Sequence, residues 1–386
     1  MANTLTNIMP KILAAGLMAL RERAVMPRLV NADYSRDAAM KGNTIDVPVP
    51  VAQTATNVTP AAVPPTPGDT TPGVVQITLD QWKKTNFHLT DKELTEIDRN
   101  RHFVPMQVGE AARALANAIN ADIFSKYVGV YGYAGTAGTT PFASTVGAAT
   151  ALRKVLNEQL CPLSMRRGVV DFAAEANMLA LSPFSDAEKV ASAGVKIDGE
   201  IGRKFGLDWA ADDAVPSHTA GTITTGLAAK AATAQPIGTK AVVCTTAAVT
   251  GACALLAGDI ITFAGDTQTY VLTANATQAV AATDVTVNVE PGLKVALAGG
   301  EAVTVKADHV VNLGFHRDAF ALAMRPIAQS TSELSLGNEI MVMQDPVTGI
   351  PLRLEVMRQY KQVTWEFDVL WGSALVRPEL AARLAG

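Results

Sequence analysis

Near the N-terminus of this 386-residue chain, two strand patterns enclose a long stretch rich in proline, threonine and alanine. Apolar residues occupy every second position from Ile45 to Val51, which predicts a strand at residues 43–51, and a returning strand is predicted at 74–79. Residues 55–73 between them carry a single charge, Asp69. A loop of this length is unusual inside a compact domain. It is understandable if the loop lies on another copy of the chain, so this order of segments predicts self-assembly.

One long helix is predicted after this loop, at residues 104–128. Apolar residues recur there at helical spacing from Val108 to Ile123. At about 1.5 Å per residue the helix is about 37 Å long, enough to brace a plate-like subunit. Asp122 and Lys126 are four residues apart near its end, so we expect them to pair and the last turns to lie at a surface or an interface.

The segment before the first strand also has apolar residues at helical spacing, over residues 5–30. Several arginines follow near the end of this segment, which predicts an amphipathic helix that docks on another surface. Two interpretations remain open for it. It is either a first helix packed on its own domain or an arm that reaches a neighbouring subunit.

The middle of the chain alternates between helix and strand patterns. Helices are predicted at 144–159, 173–181 and 186–193, and strands at 168–172 and 207–211, which together predict a central sheet with flanking helices. Residues 129–138 have glycine at every third position and are predicted as a flexible connector. The adjacent carboxylates Asp212 and Asp213 are predicted to lie in a solvated turn.

The composition changes at about residue 217 to a β-rich pattern. Strands are predicted at 260–263 and 268–272 around the hairpin turn Gly265-Asp266, and further strands at 284–289 and 302–306. Closely spaced short strands predict a small barrel or sandwich. The mixed pattern resumes at 310–315, so residues 217–308 are predicted as an all-β insertion. Two strands at 351–360 and 362–371 and a last helix at 378–384 follow.

The composition excludes several classes of protein. The net charge is −4 and no lysine or arginine run is dense, so a tight nucleic-acid binder is not expected. Three cysteines and five histidines show no spacing of a disulfide framework or a metal site. An apolar run at 12–20 imitates a signal-peptide core, but Arg21-Glu22-Arg23 follows in place of a cleavage site. We therefore expect a non-enzymatic structural protein with no cofactor, metal or membrane association, made in a cytoplasm.

Four short runs carry a resemblance to a known family. They are LTDKEL at 89–94, AARALAN at 111–117, LWG at 370–372 and RPE at 377–379. Together with the order of arm, extended loop and long helix, they resemble the major capsid protein of tailed bacteriophages, whose fold is named after phage Hong Kong ninety-seven. The chain looks most similar to coat proteins of short-tailed phages with an inserted β domain, and the resemblance covers nearly its whole length.

The resemblance implies an α+β tailed-phage capsid fold with six segments. These are an N-terminal arm (1–42), an extended β loop (43–90), a spine helix with the peripheral domain (91–149), the first part of the axial domain (150–216), the inserted all-β domain (217–308), and the remainder of the axial and peripheral domains (309–386).

The resemblance also implies the function. Hexamers and pentamers of the chain would form the icosahedral shell of a double-stranded DNA phage, assembled in the host bacterial cytoplasm through a procapsid. The implied partners are other copies of the chain, a scaffolding protein, a portal, non-specifically packaged DNA and a decoration protein. The candidate inter-subunit residues are Pro64, Pro65, Pro67, Asp69, Lys83, Lys84, Asp122 and Lys126.

The loop tip differs from members of the family that cross-link their shells. Those members join a lysine on the extended loop to an asparagine of a neighbour. Residues 58–73 contain no lysine here, and Lys83 and Lys84 lie near the base of the loop, so a covalently linked shell is not expected.

Two alternative functions remain open. An encapsulin-like compartment shares the resembled fold but should lack a separate β insertion. A surface-layer or adhesin protein shares the threonine- and alanine-rich β composition but needs an export signal.

Overall fold

The structure is a computed structural model. It describes residues 13–14, 16–18, 24–34, 43–51, 53, 55, 57–58, 60, 71–93, 103–185, 201–223, 226–230, 234–246, 253–278, 284–327, 339–345 and 348–386. The α-helices are α1 (Met26–Leu29), α2 (Phe103–Ser125), α3 (Gly147–Glu158), α4 (Phe172–Ala180) and α5 (Ser182–Ser185). Short 3-10 turns lie at Lys126–Gly129, Arg317–Ala319 and Pro378–Leu380.

The strands follow in chain order. They are β1 (Thr44–Val49), β2 (Gly73–Thr78), β3 (Gln81–Thr90), β4 (Gly132–Gly135), β5 (Arg166–Val170), β6 (Arg203–Lys204), β7 (Leu207–Ala211), β8 (Ser217–His218), β9 (Leu227–Ala229), β10 (Ala241–Thr246), β11 (Cys253–Leu255), β12 (Ile260–Phe263), β13 (Tyr270–Leu272), β14 (Ala276–Gln278), β15 (Asp284–Glu290), β16 (Ala302–Val305), β17 (His309–His316), β18 (Phe320–Arg325), β19 (Glu339–Gln344), β20 (Pro351–Gln359), β21 (Gln362–Leu375) and β22 (Ala381–Ala385).

A five-stranded antiparallel sheet and the long helix α2 form one half of the core. Strand β21 is central: β3 pairs along one of its edges, β20 and β18 along the other, and β19 extends the sheet beyond β20. The buried face of the sheet includes Phe367 and Trp371, which belong to the same apolar core as Leu115 and Ile119 of α2. The predicted long helix is confirmed, although its last turn tightens into the 3-10 turn at Lys126–Gly129.

A second sheet forms the other half of the core. Its strand order is β4-β22-β17-β5-β7-β6, and β8 pairs with β17. Helix α3 covers it with Ala149, Leu152 and Leu156, all buried. The predicted helices at 144–159 and 173–181 and the predicted strands at 168–172 and 207–211 are confirmed within a few residues. The helix predicted at 186–193 lies outside the described residues.

The end of the chain is a strand, so the helix predicted at 378–384 is wrong. Only Pro378–Leu380 is helical, as a 3-10 turn, and β22 then pairs antiparallel with β17 and parallel with β4. All five residues of β22 are buried. Alanine, leucine and arginine favour a helix locally. The position between β17 and β4 overrides that preference, because a strand placed there pairs its backbone N–H and C=O groups with both neighbours.

Strand β4 corrects the flexible connector predicted at 129–138. A Cβ at Gly132 would lie 2.9 Å from the carbonyl oxygen of Ala381 in β22. Gly135 has a φ of +87°, a conformation that favours glycine. The glycines therefore allow a close approach of two backbones rather than flexibility.

Strands β1 and β2 form the predicted hairpin. They pair antiparallel from Thr44 opposite Thr78 to Val49 opposite Gly73. Ile45, Val47 and Ile77 are buried in a small core that includes Ala321 and Ala323 of β18. The base of the hairpin is thus packed on its own chain.

A closed barrel lies between β8 and β17 along the chain, with strand order β10-β15-β13-β12-β16-β9. The predicted alternation at 284–289 is confirmed, because Val285, Val287 and Val289 are buried and Asp284, Thr286 and Asn288 are exposed. Together with residues such as Phe263 and Tyr270, these valines form an apolar cluster distinct from the main core.

The described part of the N-terminal segment packs on its own chain. Leu13, Leu17, Met26 and Val30 belong to the main core. A Cβ at Gly16 would lie 3.2 Å from a methyl group of Val108 in α2. For these residues the structure favours the first of the two interpretations, a segment docked on its own domain. Among the described helices, none is long and apolar enough to cross a membrane.

Candidate assembly interface

The base of the β1–β2 hairpin crosses strand β21 at Gly372. A Cβ at this position would lie 2.1 Å from the carbonyl oxygen of Thr78 and 3.1 Å from the Cα of Leu79. The two backbones can approach this closely only because residue 372 has no side chain. The contact fixes the direction in which the hairpin leaves the sheet.

Burial decreases along the hairpin from its base toward its tip. Ile77 is fully buried, Val49 is half-buried, and Val51 is 51% exposed. Val74 and Val58 are 57% and 93% exposed. Val51 therefore continues the apolar face of the hairpin past the point at which the chain's own core covers it, whereas Val74, paired with Pro48, is exposed on the opposite face. Several exposed apolar side chains on one hairpin are typical of a protein–protein contact.

Lys83 and Lys84, two of the predicted contact residues, lie on β3 and interact with the neighbouring strand. Lys84 Nζ lies 2.8 Å from Glu366 Oε2, and this hydrogen bond raises the pKa of Lys84. Lys83 Nζ lies 5.7 Å from the centroid of the Trp371 ring, a cation–π distance. Lys84 remains 57% exposed, so its second side is open to a partner.

Trp82 is a contact candidate that sequence reasoning missed. Its indole N–H donates to Asp368 Oδ2 at 3.1 Å, and Arg353 holds the same carboxylate at 2.7 Å. Asp368 is 2% exposed, whereas Trp82 is 61% exposed. A large aromatic side chain that is exposed yet fixed by a buried partner is suited to anchor a contact. The signal in the sequence was Trp82 itself, which faces outward on strand β3, but this strand was not predicted.

The pair predicted at the end of the long helix is present. Lys126 Nζ lies 3.5 Å from Asp122 Oδ1. The carboxylate also accepts hydrogen bonds from the Trp371 indole at 3.0 Å and from the Ser373 hydroxyl at 2.6 Å. Asp122 therefore fixes the helix end to β21. The four remaining candidates, Pro64, Pro65, Pro67 and Asp69, lie outside the described residues.

The solvated turn predicted for Asp212 and Asp213 is confirmed for Asp213, which is exposed in a turn, but is wrong for Asp212, which is buried. Asp212 is 3% exposed. Its carboxylate accepts from the Asn120 side-chain amide at 3.1 Å and from the backbone N–H of Ala214 at 2.9 Å. Local spacing could not show that the long helix would supply a partner for it.

A second group that sequence reasoning missed is a buried polar cluster where the barrel meets the core. Tyr127, His218, Asp259, His309 and Arg383 form it, and we call it the junction cluster. His218 Nε2 lies 2.9 Å from Asp259 Oδ1, and His218 Nδ1 lies 3.0 Å from the Tyr127 hydroxyl. The Arg383 guanidinium lies 4.9 Å from the Tyr127 ring centroid.

Burial is the largest cause of the pKa shifts in the junction cluster. It lowers the pKa of His309, raises that of Tyr127 and lowers that of Arg383 to about 9. Arg383 thus stays charged at neutral pH. Its guanidinium donates to three backbone carbonyls. The sequence signal was a single charge in the otherwise apolar segment 381–385, which becomes informative once that segment is a strand.

No group of three or more His, Cys, Asp and Glu side chains among the described residues is placed to hold a metal ion. The arrangement on the surface is instead one of partly satisfied contact features. These are the exposed valines of the hairpin, the Trp82 ring held by Asp368, and Lys84, which pairs with Glu366 but stays exposed.

Comparison with solved structures identifies the fold. A structure from Mycobacterium phage Che8 aligns with a TM-score of 0.52 and 14% identity, covering 94% of this chain and 90% of that chain. The capsid structure of the cyanophage P-SCSP1u aligns at 0.44 and 12% identity, covering 89% and 83%. A virus-like particle from Pyrococcus furiosus aligns at 0.43 and 8%, covering 97% and 98%. No protein-family model and no curated protein sequence matches the chain.

The chain shares its fold with the structure from phage Che8 over nearly its whole length. The resemblance drawn from the sequence, a tailed-phage major capsid protein fold, is thereby confirmed at the level of the fold. At 14% identity this similarity describes the architecture alone.

Proposed function

We propose that this chain is a major capsid protein that self-assembles into hexamers and pentamers of the icosahedral shell of a tailed double-stranded DNA bacteriophage. The observation that carries the proposal is the hairpin, which is fixed on its own sheet at Gly372 but exposes Val51, Val58 and Val74 beyond its own core. Neighbouring copies packed against both faces of the hairpin would bury these side chains. Such a contact joins two different surfaces, and its repetition builds rings when the rotation between copies closes.

We further propose the division of the chain that the sequence predicted, with residues 217–308 as an inserted domain between the two parts of the axial domain. The closed barrel with its separate apolar cluster supports this division. Inter-subunit contacts would involve the loop residues Pro64, Pro65, Pro67 and Asp69, together with Lys83, Lys84, Asp122 and Lys126. The exposed ring of Trp82 would add an anchor beside Lys84.

The proposed partners follow from the resemblance. They are a scaffolding protein and a portal during assembly, packaged DNA inside the shell, and a decoration protein outside it. The net charge of −4 suits a wall that encloses DNA without binding it tightly.

Electron microscopy of the purified chain, expressed with its scaffolding protein where one is required, tests the proposal. Closed shells are expected from the wild-type chain. The double variant Val51→Asp, Val74→Asp should fold normally but give no shells, because two carboxylates would have to be buried in the contact. The matched control Val295→Asp changes a valine of similar exposure on the barrel and should still give shells.

Two outcomes would contradict the proposal. Shells formed by the Val51→Asp, Val74→Asp variant would mean that these two valines lie outside every contact. A wild-type chain that stays monomeric with every candidate scaffolding protein would remove the assembly function. Shells that carry a protein cargo would instead support the encapsulin-like compartment, and flat lattices on a cell surface would support the surface-layer alternative.

A further inference from the structure

The two strands that connect the barrel to the rest of the chain place two histidines side by side. β8 and β17 are antiparallel, with His218 directly opposite His309. The two ring centroids are 5.3 Å apart, and the residues are 4% and 2% exposed. Any change in the orientation of the barrel on the core has to pass through these two strands.

Hydrogen bonds of the junction cluster also connect the barrel with the core. His218 links Asp259 of the barrel to Tyr127 at the end of the long helix. Arg383 donates to the carbonyl oxygen of Gly258 on the barrel at 2.8 Å and to that of Tyr127 at 2.9 Å. These bonds hold the barrel, the helix end and the C-terminal strand together through two side chains.

His309 is the member of this cluster with an unused site for a proton. Its Nδ1 lies 2.8 Å from the carbonyl oxygen of Ala307, so Nδ1 carries the hydrogen and donates. Its Nε2 is buried and, within the described part of the chain, has no hydrogen-bond partner. Nε2 of the neutral ring therefore keeps a lone pair that can take up a proton.

The charges around His309 oppose that proton. Burial, then Arg383 on β22 and His218 on β8, lower the pKa of His309, while the carbonyl of Ala307 and the carboxylate of Asp308, the residue before it, raise it. The Tyr133 ring of β4 lies 5.5 Å away in an edge-on arrangement.

The remaining charges near His309 contact its neighbours rather than the His309 ring itself. Lys306 Nζ lies 5.7 Å from the centroid of the Tyr133 ring. Asp259 is the one buried carboxylate of the cluster. It already makes hydrogen bonds with His218 and with the backbone N–H groups of Gly221 and Leu256. A proton on His309 would thus place a second buried cation near Arg383 without adding a buried anion.

We propose that the junction cluster is a pH-sensitive joint, which holds the barrel in one orientation while His309 is neutral and loosens it when His309 takes up a proton. The joint belongs to the single subunit. It would operate whether or not the chain forms shells.

Distance measurement between two spin labels tests the joint in the full-length subunit. One label replaces Lys240 on the barrel and the other replaces Lys154 on α3, and both lysines are well exposed. Attachment through ketone-bearing unnatural amino acids leaves the native cysteines in place. Spectra are recorded at pH 8 and pH 5, a range that spans the titration of histidine. The wild-type distance distribution should be narrow at pH 8 and broader, with a longer mean, at pH 5.

The variant His309→Gln removes the titrating group, and its distribution should stay narrow at both values of pH. The matched control His316→Gln changes another buried histidine outside the junction and should broaden as the wild type does. Circular dichroism at pH 5 must show that the fold is retained.

Three results would overturn the inference. They are an unchanged distribution in the wild-type chain, broadening that persists in His309→Gln, and broadening accompanied by loss of the dichroism signal. The first and third need no variant in the cluster, so a His309→Gln protein that failed to fold would still leave the inference testable.

Discussion

Replacing Gly372 with alanine tests whether the hairpin takes its direction from its own sheet. The added Cβ would meet backbone atoms of the hairpin base, at 2.1 Å from the carbonyl oxygen of Thr78 and 3.1 Å from the Cα of Leu79. Backbone atoms cannot rotate away as the end of a flexible side chain can. To restore an ordinary contact, the hairpin base has to move by about 1 Å, and close-packed interiors resist such a shift.

The movement has a cost because the base is part of a packed core. Ile45, Val47 and Ile77 would be pulled away from Ala321 and Ala323 of β18. Overpacking of this kind costs about 1–3 kcal/mol. We therefore expect Gly372→Ala to lower the free energy of unfolding by about that amount and to reduce or abolish shells, since the re-aimed hairpin would miss its partner.

Urea denaturation followed by circular dichroism measures the stability, and electron microscopy measures assembly. The matched control is Gly73→Ala on strand β2, where an added Cβ meets only the Cβ of Val49 at 3.9 Å. That variant should match the wild type in both assays. A Gly372→Ala protein as stable as the wild type would show that the hairpin does not press on β21, and the argument for its fixed direction would fail.

Three further predictions follow from the core and its buried groups. Ala116→Pro breaks α2 at a fully buried position and should cost about 3 kcal/mol or more, giving insoluble protein on expression. Asp122→Ala leaves the buried Trp371 indole without its acceptor and should lower the urea-derived stability by about 1–3 kcal/mol. Burial lowers the pKa of both His309 and His316 below the unfolded value of 6.5, so the neutral forms stabilise the fold above that pH. Stability should therefore fall as the pH drops from 6.5 through the folded pKa values, and less so in a His309→Gln, His316→Gln protein; equal acid sensitivity in the two would contradict the assignment.

Local patterns in the sequence predicted the elements that depend on local physics. The alternation from Ile45 to Val51 predicted a strand because strand side chains point to opposite faces in turn. The spacing from Val108 to Ile123 predicted the long helix because residues three and four positions apart share one face of a helix. The same i,i+4 spacing predicted the pair of Asp122 and Lys126. In each case the residues that interact, or that share a face, lie within a few positions of one another.

Contacts between distant parts of the chain decided the rest. Segment 381–385 has the composition of a helix and is a strand, because β17 and β4 leave a slot that a strand fills. Gly132 is part of a strand because β22 pairs with it, and that close approach leaves no room for a side chain. Trp82 and the junction cluster depend on partners far away in the chain, as in the contact of Arg383 with Gly258. Periodicity shows which residues share a face, but the neighbour of that face is set by chain topology, which only the tertiary structure specifies.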